Sequence, residues 1–295
     1  MDIAMNARSP LALLAALVLA AGGAVSVSGC GSAASTIDPV AKAADATEHA
    51  GGSQVAFKLS ISAPGLESPL AMSGQGNFNF ERSEGTLVFE LKNLPSETLT
   101  ALHTRSLRMT EVYKAGIGYV RSPLFEGKLP NGAHWLKIDM GKVLAAAGLS
   151  AGSLTSGGVN PAQYLQYLKA KGATLSVAGH ERVHGVPTTR YSGTFDIVKA
   201  SEGAPGANPA LVKKTFEKLL PHGDGRNVPL SVWIDAHSLV RRMLLDIALE
   251  PAGQRTDTKL DMEFTGFGAT PSVTVPPDSE VFDVTQKTIE AESAG

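Results

Sequence analysis

Val55-Ala56-Phe57-Lys58-Leu59-Ser60-Ile61-Ser62 alternates apolar and polar residues without a break. Successive side chains of an extended chain point to opposite faces, so a period of two predicts a strand with one covered face and one wet face. Val55, Phe57, Leu59 and Ile61 take the covered side; Ala56, Lys58, Ser60 and Ser62 take the other. The pattern continues with Met72, Phe78 and Phe80, then Leu87, Phe89 and Leu91, with a polar turn at Arg82 to Gly85. These segments predict an antiparallel meander. A hairpin is predicted from Leu107 to Tyr113 and Ile117 to Arg121 around Ala115-Gly116, and another strand from His134 to Ile138. Thr174 to Val177, Thr188 to Ile197, Val228 to Asp235, Leu239 to Leu249 and Thr258 to Phe264 repeat the alternation, for roughly ten or eleven strands in all.

Helices are signalled between the strands by a capping residue followed by proline. Asp38-Pro39 starts one that runs to about Ala50 and is stopped by Gly51-Gly52. Asn160-Pro161 opens another, with Tyr164, Leu165 and Leu168 on one face and Gly172 at its end. Asn208-Pro209 opens a third, carrying Leu211, Val212, Phe216, Leu219 and Leu220, and a weaker helical turn is predicted from Lys142 to Ala147. Ser150 to Gly158 and Ser201 to Ala207 read as loops, and from Gln286 onward the chain reads as a polar, frayed tail. An apolar face on every strand must be covered by something. One helix ahead of the strands and two inserted between them point to an α+β fold: a curved antiparallel sheet, a half-barrel, with helices packed on its concave face and an apolar space between.

The chain has 295 residues, a formal net charge of −2 and one cysteine. Leu11 to Leu19 is an apolar run, preceded by Arg8, that is too short to span a bilayer and reads as the core of a secretory signal peptide. It leads to Val27-Ser28-Gly29-Cys30, an aliphatic residue, two small residues and the lone cysteine. This pattern resembles the bacterial lipobox, in which the cysteine is diacylated and becomes the first residue of the mature protein. The alternative is an ordinary signal peptide cut after a small residue, with Cys30 a bystander. The lipobox reading divides the chain into a signal peptide (1–29), a short lipidated linker (30–37), one domain (38–285) and the tail (286–295), held at the extracytoplasmic face of the cell membrane. The one thiol would be consumed by the lipid, which leaves none for a disulfide. There is no basic stripe with interleaved aromatics, which argues against a nucleic-acid partner. No segment after the first is apolar for the roughly 20 residues a membrane helix needs.

Several stretches occur together in order: Trp135-Leu136-Lys137-Ile138-Asp139, Pro161-Ala162-Gln163-Tyr164-Leu165, Gly185-Val186-Pro187-Thr188-Thr189-Arg190-Tyr191, Val232-Trp233-Ile234-Asp235 with Leu239-Val240-Arg241-Arg242, and Phe264-Thr265-Gly266-Phe267-Gly268. With the lipobox they resemble actinobacterial lipoproteins of the LprG/LppX type. The resemblance implies a fold like that of the lipoprotein carriers LolA and LolB, and binding or shuttling of a lipid or lipoglycan in the cell envelope without catalysis or a cofactor. Candidate residues lining a lipid cavity are the apolar members of the alternating strands: Phe57, Leu59, Ile61, Phe78, Phe80, Leu87, Phe89, Met243, Leu245, Ile247, Met262 and Phe264. The alternative is that they pack against the helices as a filled core, which periodicity does not distinguish from a lined cavity. Arg241 and Arg242 are surface cations, one of which could face a headgroup phosphate. The same scaffold could instead serve a membrane-protein partner with no lipid bound.

His180-Glu181-Arg182-Val183-His184 matches the H-E-x-x-H zinc signature. That chemistry needs a helix, on which both histidines reach one metal. Here Thr174 to Val177 alternates like a strand and Gly179, Gly185 and Pro187 surround the motif. On a strand the two residues stand about 13 Å apart, so the zinc reading is set aside. There is no G-x-S-x-G elbow and no phosphate-cradling glycine loop. Asp235 and Asp246 stand on or beside a strand pair, where a carboxylate reads as a turn cap or a solvated charge.

Overall fold

The computed structural model describes residues 39–94, 106–146, 165, 168, 169, 173–202, 209–220, 226–250, 253–268 and 272–293. Cys30, the signal segment, Asp38, Asn160-Pro161, Tyr164, Asn208 and the Ser150 to Gly158 loop lie outside them.

All the predicted strands form, within a residue or a few of their expected ends except the one from Thr174, which runs six residues past Val177 to Val183 and takes in most of the H-E-x-x-H segment. They are β1 (Gly52–Ser62), β2 (Leu70–Asn79), β3 (Glu84–Lys92), β4 (Leu107–Lys114), β5 (Ile117–Arg121), β6 (Trp135–Asp139), β7 (Thr174–Val183), β8 (Val186–Asp196), β9 (Asn227–Asp235), β10 (Val240–Leu249) and β11 (Thr256–Thr265). A twelfth, β12 (Val281–Asp283), was not expected: three residues are too few to show a period. The twelve make one open sheet in the order β12-β6-β5-β4-β3-β2-β1-β11-β10-β9-β8-β7. Every neighbouring pair is antiparallel except β12 on β6, which is parallel. The chain thus makes two meanders that meet where β1 pairs with β11.

The register turns the alternation into two faces. Val55 stands opposite Gly76 and Phe264, Phe57 opposite Gly74 and Met262, and Leu59 opposite Met72 and Leu260. Directly opposed residues share a face, so a continuous apolar surface crosses the sheet. Glycines let large rings lie flat on it: a Cβ on Gly74 would fall 2.5 Å from the Phe57 ring, and one on Gly85 would fall 2.5 Å from the Phe78 ring.

Helices cover the apolar face, as predicted. In α1 (Pro39–Glu48), Val40, Ala43, Ala44 and Thr47 are buried, the spacing of one helical stripe. The Thr47 hydroxyl donates to the Ala43 carbonyl at 2.7 Å and accepts from the backbone N–H of Val240 at 2.9 Å, pinning α1 beside the bulge in β10. Buried Leu165 and Leu168 belong to the expected second helix, and Lys169 after them reaches Asp45 and Glu48 of α1, each at 2.7 Å. The predicted turn is α2 (Met140–Ala146), and the third expected helix is α4 (Pro209–Leu219).

Three expectations change. Ser201, expected to open a loop, is helical with Glu202, and the rest of that loop, 203–207, lies outside the described residues. Ile197, expected as a strand end, starts α3 (Ile197–Glu202), because Asp196 Oδ1 accepts from the N–H groups of Val198 and Lys199 as a helix cap. The expected frayed tail is helical: α5 (Thr285–Ser293) packs on α2. Its first turn is tied to the sheet edge. Asp283 accepts from Thr285 N–H at 2.9 Å, Thr285 Oγ1 accepts from Asp139 N–H at 2.9 Å, and Val284 N–H donates to Lys137 O at 3.0 Å. Asp139 and Lys137 are distant from the tail in sequence, so a polar composition gave no sign of them.

Candidate functional site

The register brings all the predicted lining residues to the apolar face. Ten are buried; Leu59 and Ile247 are half-buried. Ile61 is buried at one end, opposite Leu70 and Thr258. The others form one cluster with Val40, Ala43 and Ala44 of α1, Leu165, Leu168, Ile197, Val198 and Phe216. Its aromatic centre has Phe78 and Phe80 rings 5.8 Å apart and Phe80 and Phe264 rings 6.2 Å apart. Among the described residues, therefore, the sheet and its helices meet as a packed apolar layer, and an acyl chain placed there would take the position of helix side chains.

One carboxyl stands within that layer, and the sequence reading missed it. In β4 the covered phase reads Leu107, Met109, Glu111, Tyr113, so Glu111 occupies a position where every neighbour in the series is apolar or aromatic. That break in the pattern was its signal. It sits opposite Leu87 on β3 and Val120 on β5. Its Oε1 lies 3.6 Å from the point where Gly118 would carry a Cβ. Glu111 is 7% exposed and has neither a hydrogen bond nor an ion pair with a described residue. Burial alone pushes its pKa from 4.5 up to about 7. Burial, and next the Glu111 charge, push the Tyr113 phenol upward as well.

The other face is polar and ordered by charge. Glu181 on β7 accepts from Arg190 on β8 at 2.9 Å and from the indole N–H of Trp233 on β9 at 3.1 Å. Arg242 on β10 lies over the same indole at 5.0 Å and makes a two-pronged bond to Asp261 on β11, at 2.9 and 2.7 Å. Glu263 then bonds His184 Nε2 at 2.8 Å. His184 is in the β7–β8 turn, and four strand spacings separate β7 from β11, about 19 Å in a flat sheet. The contact closes because the sheet twists and curls the hairpin tip over its polar face. Beneath the tip is a groove of about 690 Å³ lined in part by Gln54, Gln75, Asn77, Thr86, Arg108 and His184. A second, of about 760 Å³, lies along the same face between Lys92 on β3 and Ser192 on β8.

The remaining sequence candidates have structural partners. His180 is in strand β7 and meets Thr189 Oγ1 at 3.3 Å, while His184 takes a positive φ of 48° in the turn. The H-E-x-x-H residues are thus extended rather than helical. Asp235 caps its turn, accepting from His237 N–H at 2.8 Å, Leu239 N–H at 3.0 Å and Arg241 Nε at 2.6 Å. Burial opposes its ionisation, but the bonds from Leu239, Arg241 and His237 win and hold its pKa below the usual range. Both arginines considered for a headgroup are engaged, Arg241 by Asp235 and Arg242 by Asp261. Among the described residues no helix is long and apolar enough to cross a membrane.

Fold and faces define an α+β domain: an open twelve-stranded sheet with one face under helices and the other polar. No family model and no curated protein matches the chain. Among solved structures it is similar to a DUF1329 family protein from Desulfovibrio piger ATCC 29098, at 11% identity over 80% of this chain and 95% of that one, with a TM-score of 0.28. It is similar also to a domain described as that of an outer membrane lipoprotein-sorting protein from Vibrio parahaemolyticus, at 9% identity over 77% of this chain and 90% of that one, with a TM-score of 0.30. The resemblance to the actinobacterial group rests on the sequence motifs.

Proposed function

We propose that this chain is a lipoprotein, anchored through Cys30 to the extracytoplasmic face of the cell membrane, that binds or shuttles a lipid or lipoglycan and performs no catalysis. The observation that carries the reading is the apolar face itself. It runs across the sheet from Phe264 through Val55 and Leu87 to Val120, and among the described residues it is covered by separate helices, from 6 residues in α3 to 11 in α4, rather than by a second sheet. Short helices, each joined to the sheet by its own connections, can part from it one at a time. Each CH₂ buried beneath them is worth about 0.8 kcal/mol, so a chain of myristoyl length gains on the order of 10 kcal/mol, a magnitude that can compensate displaced helix contacts. The lipobox supports an envelope location, and the short linker after Cys30 keeps the domain near the bilayer.

Mass spectrometry of lipids extracted from unacylated protein purified from its own host tests the reading. A defined lipid at near-equimolar ratio is expected. Protein that carries none, and that takes up none from vesicles of host lipid, would remove this function. A protein partner on the scaffold is the second reading, favoured by the grooves on the polar face under the His184 turn. It would show as a membrane protein retained by the lipid-free domain and lost when Glu263 is replaced.

A further inference from the structure

We propose that Glu111 is the polar anchor of the lipid site: its un-ionised carboxyl hydrogen-bonds a hydroxyl or ester oxygen of a lipid whose acyl chain lies on the surrounding apolar face. The inference rests on the lipid-binding reading above and extends it by naming the chemistry of the ligand's first polar group.

Four observations lead there. Glu111 is on the covered phase of β4, in the cross-strand row that holds Phe264, Val55, Leu87 and Val120. It is more than nine-tenths buried. The other buried carboxylates are satisfied: Glu84 faces Arg82 and Lys114, and Asp235 faces Arg241 and two backbone N–H groups. Glu111 has no such partner among the described residues. Finally, Gly118 on the adjacent strand leaves the room that its carboxyl occupies. A leucine would suit this apolar row without the penalty of desolvating a carboxyl, so the carboxyl is a cost to folding that a ligand's hydrogen bond can offset. A protonated carboxyl offers one donor and one acceptor, which suits an ester carbonyl or a hydroxyl. Burial keeps the group in that form up to about pH 7. Leu87 and Val120 face it from the neighbouring strands and Tyr113 lies two residues along its own. The phenol, pushed upward, stays neutral over the same range.

The test compares full-length wild type, Glu111→Gln and Glu111→Leu, delipidated, in equilibrium binding of 1-palmitoylglycerol and of hexadecane, which has the chain but no oxygen. Loss of one neutral hydrogen bond corresponds to roughly a tenfold weakening, so Glu111→Leu should bind 1-palmitoylglycerol about tenfold less tightly while hexadecane changes by less than about twofold. Glu111→Gln, which keeps a donor and an acceptor, should stay within about threefold of wild type for both. Unchanged selectivity in Glu111→Leu overturns the anchor and leaves lipid binding intact. Equal loss in Gln and Leu also overturns it, since Gln keeps the donor and the acceptor on which the anchor depends. Wild type that binds neither probe overturns both the anchor and the lipid reading. Should Glu111→Leu fail to fold, wild type and Glu111→Gln decide: wild-type affinity for 1-palmitoylglycerol should fall from pH 6 to pH 8.5 and the Gln affinity should not. Parallel pH profiles overturn the anchor.

Discussion

Glu111 makes folding depend on pH in a direction opposite to that of most carboxylates. Its ordinary pKa of 4.5 applies in the unfolded chain, and burial raises the folded value to about 7. Between those values the folded state holds the proton and the unfolded state does not. The associated stability is fully present below about pH 4.5 and is lost as pH rises through about 7. A shift of this size corresponds to about 3 kcal/mol at most. Asp283 works the other way: burial opposes its ionisation, but the bonds from Thr285 and Lys137 outweigh it and hold its pKa down to about 2. Its contribution is present above its ordinary value of 3.8 and lost as pH falls through about 2, outside the Glu111 window. Denaturant unfolding of wild type against Glu111→Gln from pH 4.5 to 8 should therefore show wild type losing stability relative to the variant as pH rises. A difference that stays flat with pH means that the carboxyl is not buried as described. The odd residue in the apolar phase of β4 is legible in the sequence. That no partner among the described residues reaches it is not, because any cation or amide in the chain could have been folded against it.

At the scale of elements, β12 and α5 close the edge of the sheet. Val281, Phe282 and Asp283 pair with Trp135, Leu136 and Lys137, and Thr285 satisfies the N–H of Asp139. Ending the chain after Val284 should free that N–H and uncover the side of α2, at a cost of about 1–3 kcal/mol for the hydrogen bond alone. Hydrogen exchange should then quicken in β5 and β6 and stay unchanged in β9 and β10, five or more strands away in the sheet. Equal quickening in both regions would mean that the terminal helix supports the whole fold and not one edge. The long strands and the helices that begin at Pro39 and Pro209 were legible because alternation and Asp-Pro or Asn-Pro signals are written within a dozen residues. The short α3 and β12 were not, since one is shorter than two helical turns and the other shorter than two strand periods.

At the scale of the molecule, the proposed anchor and the domain are separable. Replacing Cys30 by Ala should release the protein from membranes on fractionation, while circular dichroism and the unfolding midpoint of the soluble product match those of the delipidated wild type. Retention in the membrane fraction after signal cleavage would contradict anchoring through this cysteine. The apolar and polar faces of the domain were both anticipated. So was the curvature of the sheet; the contact of His184 with Glu263, and with it the groove on the polar face, was not, because twist accumulates over strands that lie far apart in the chain.

The sequence by itself determined where the eleven longer strands lie, which of their side chains share a face, where α1 and α4 begin and that the fold is α+β, since these follow from the steric and hydrogen-bonding preferences of neighbouring residues. Only the tertiary structure decided that β1 pairs with β11, that the tail is a helix on the β6 edge, that Asp261 and Asp235 claim the two arginines, and that Glu111 is buried in the apolar layer. Each of those depends on which of many chemically equivalent partners the folded chain brings within hydrogen-bonding distance, and that choice is made by long-range packing.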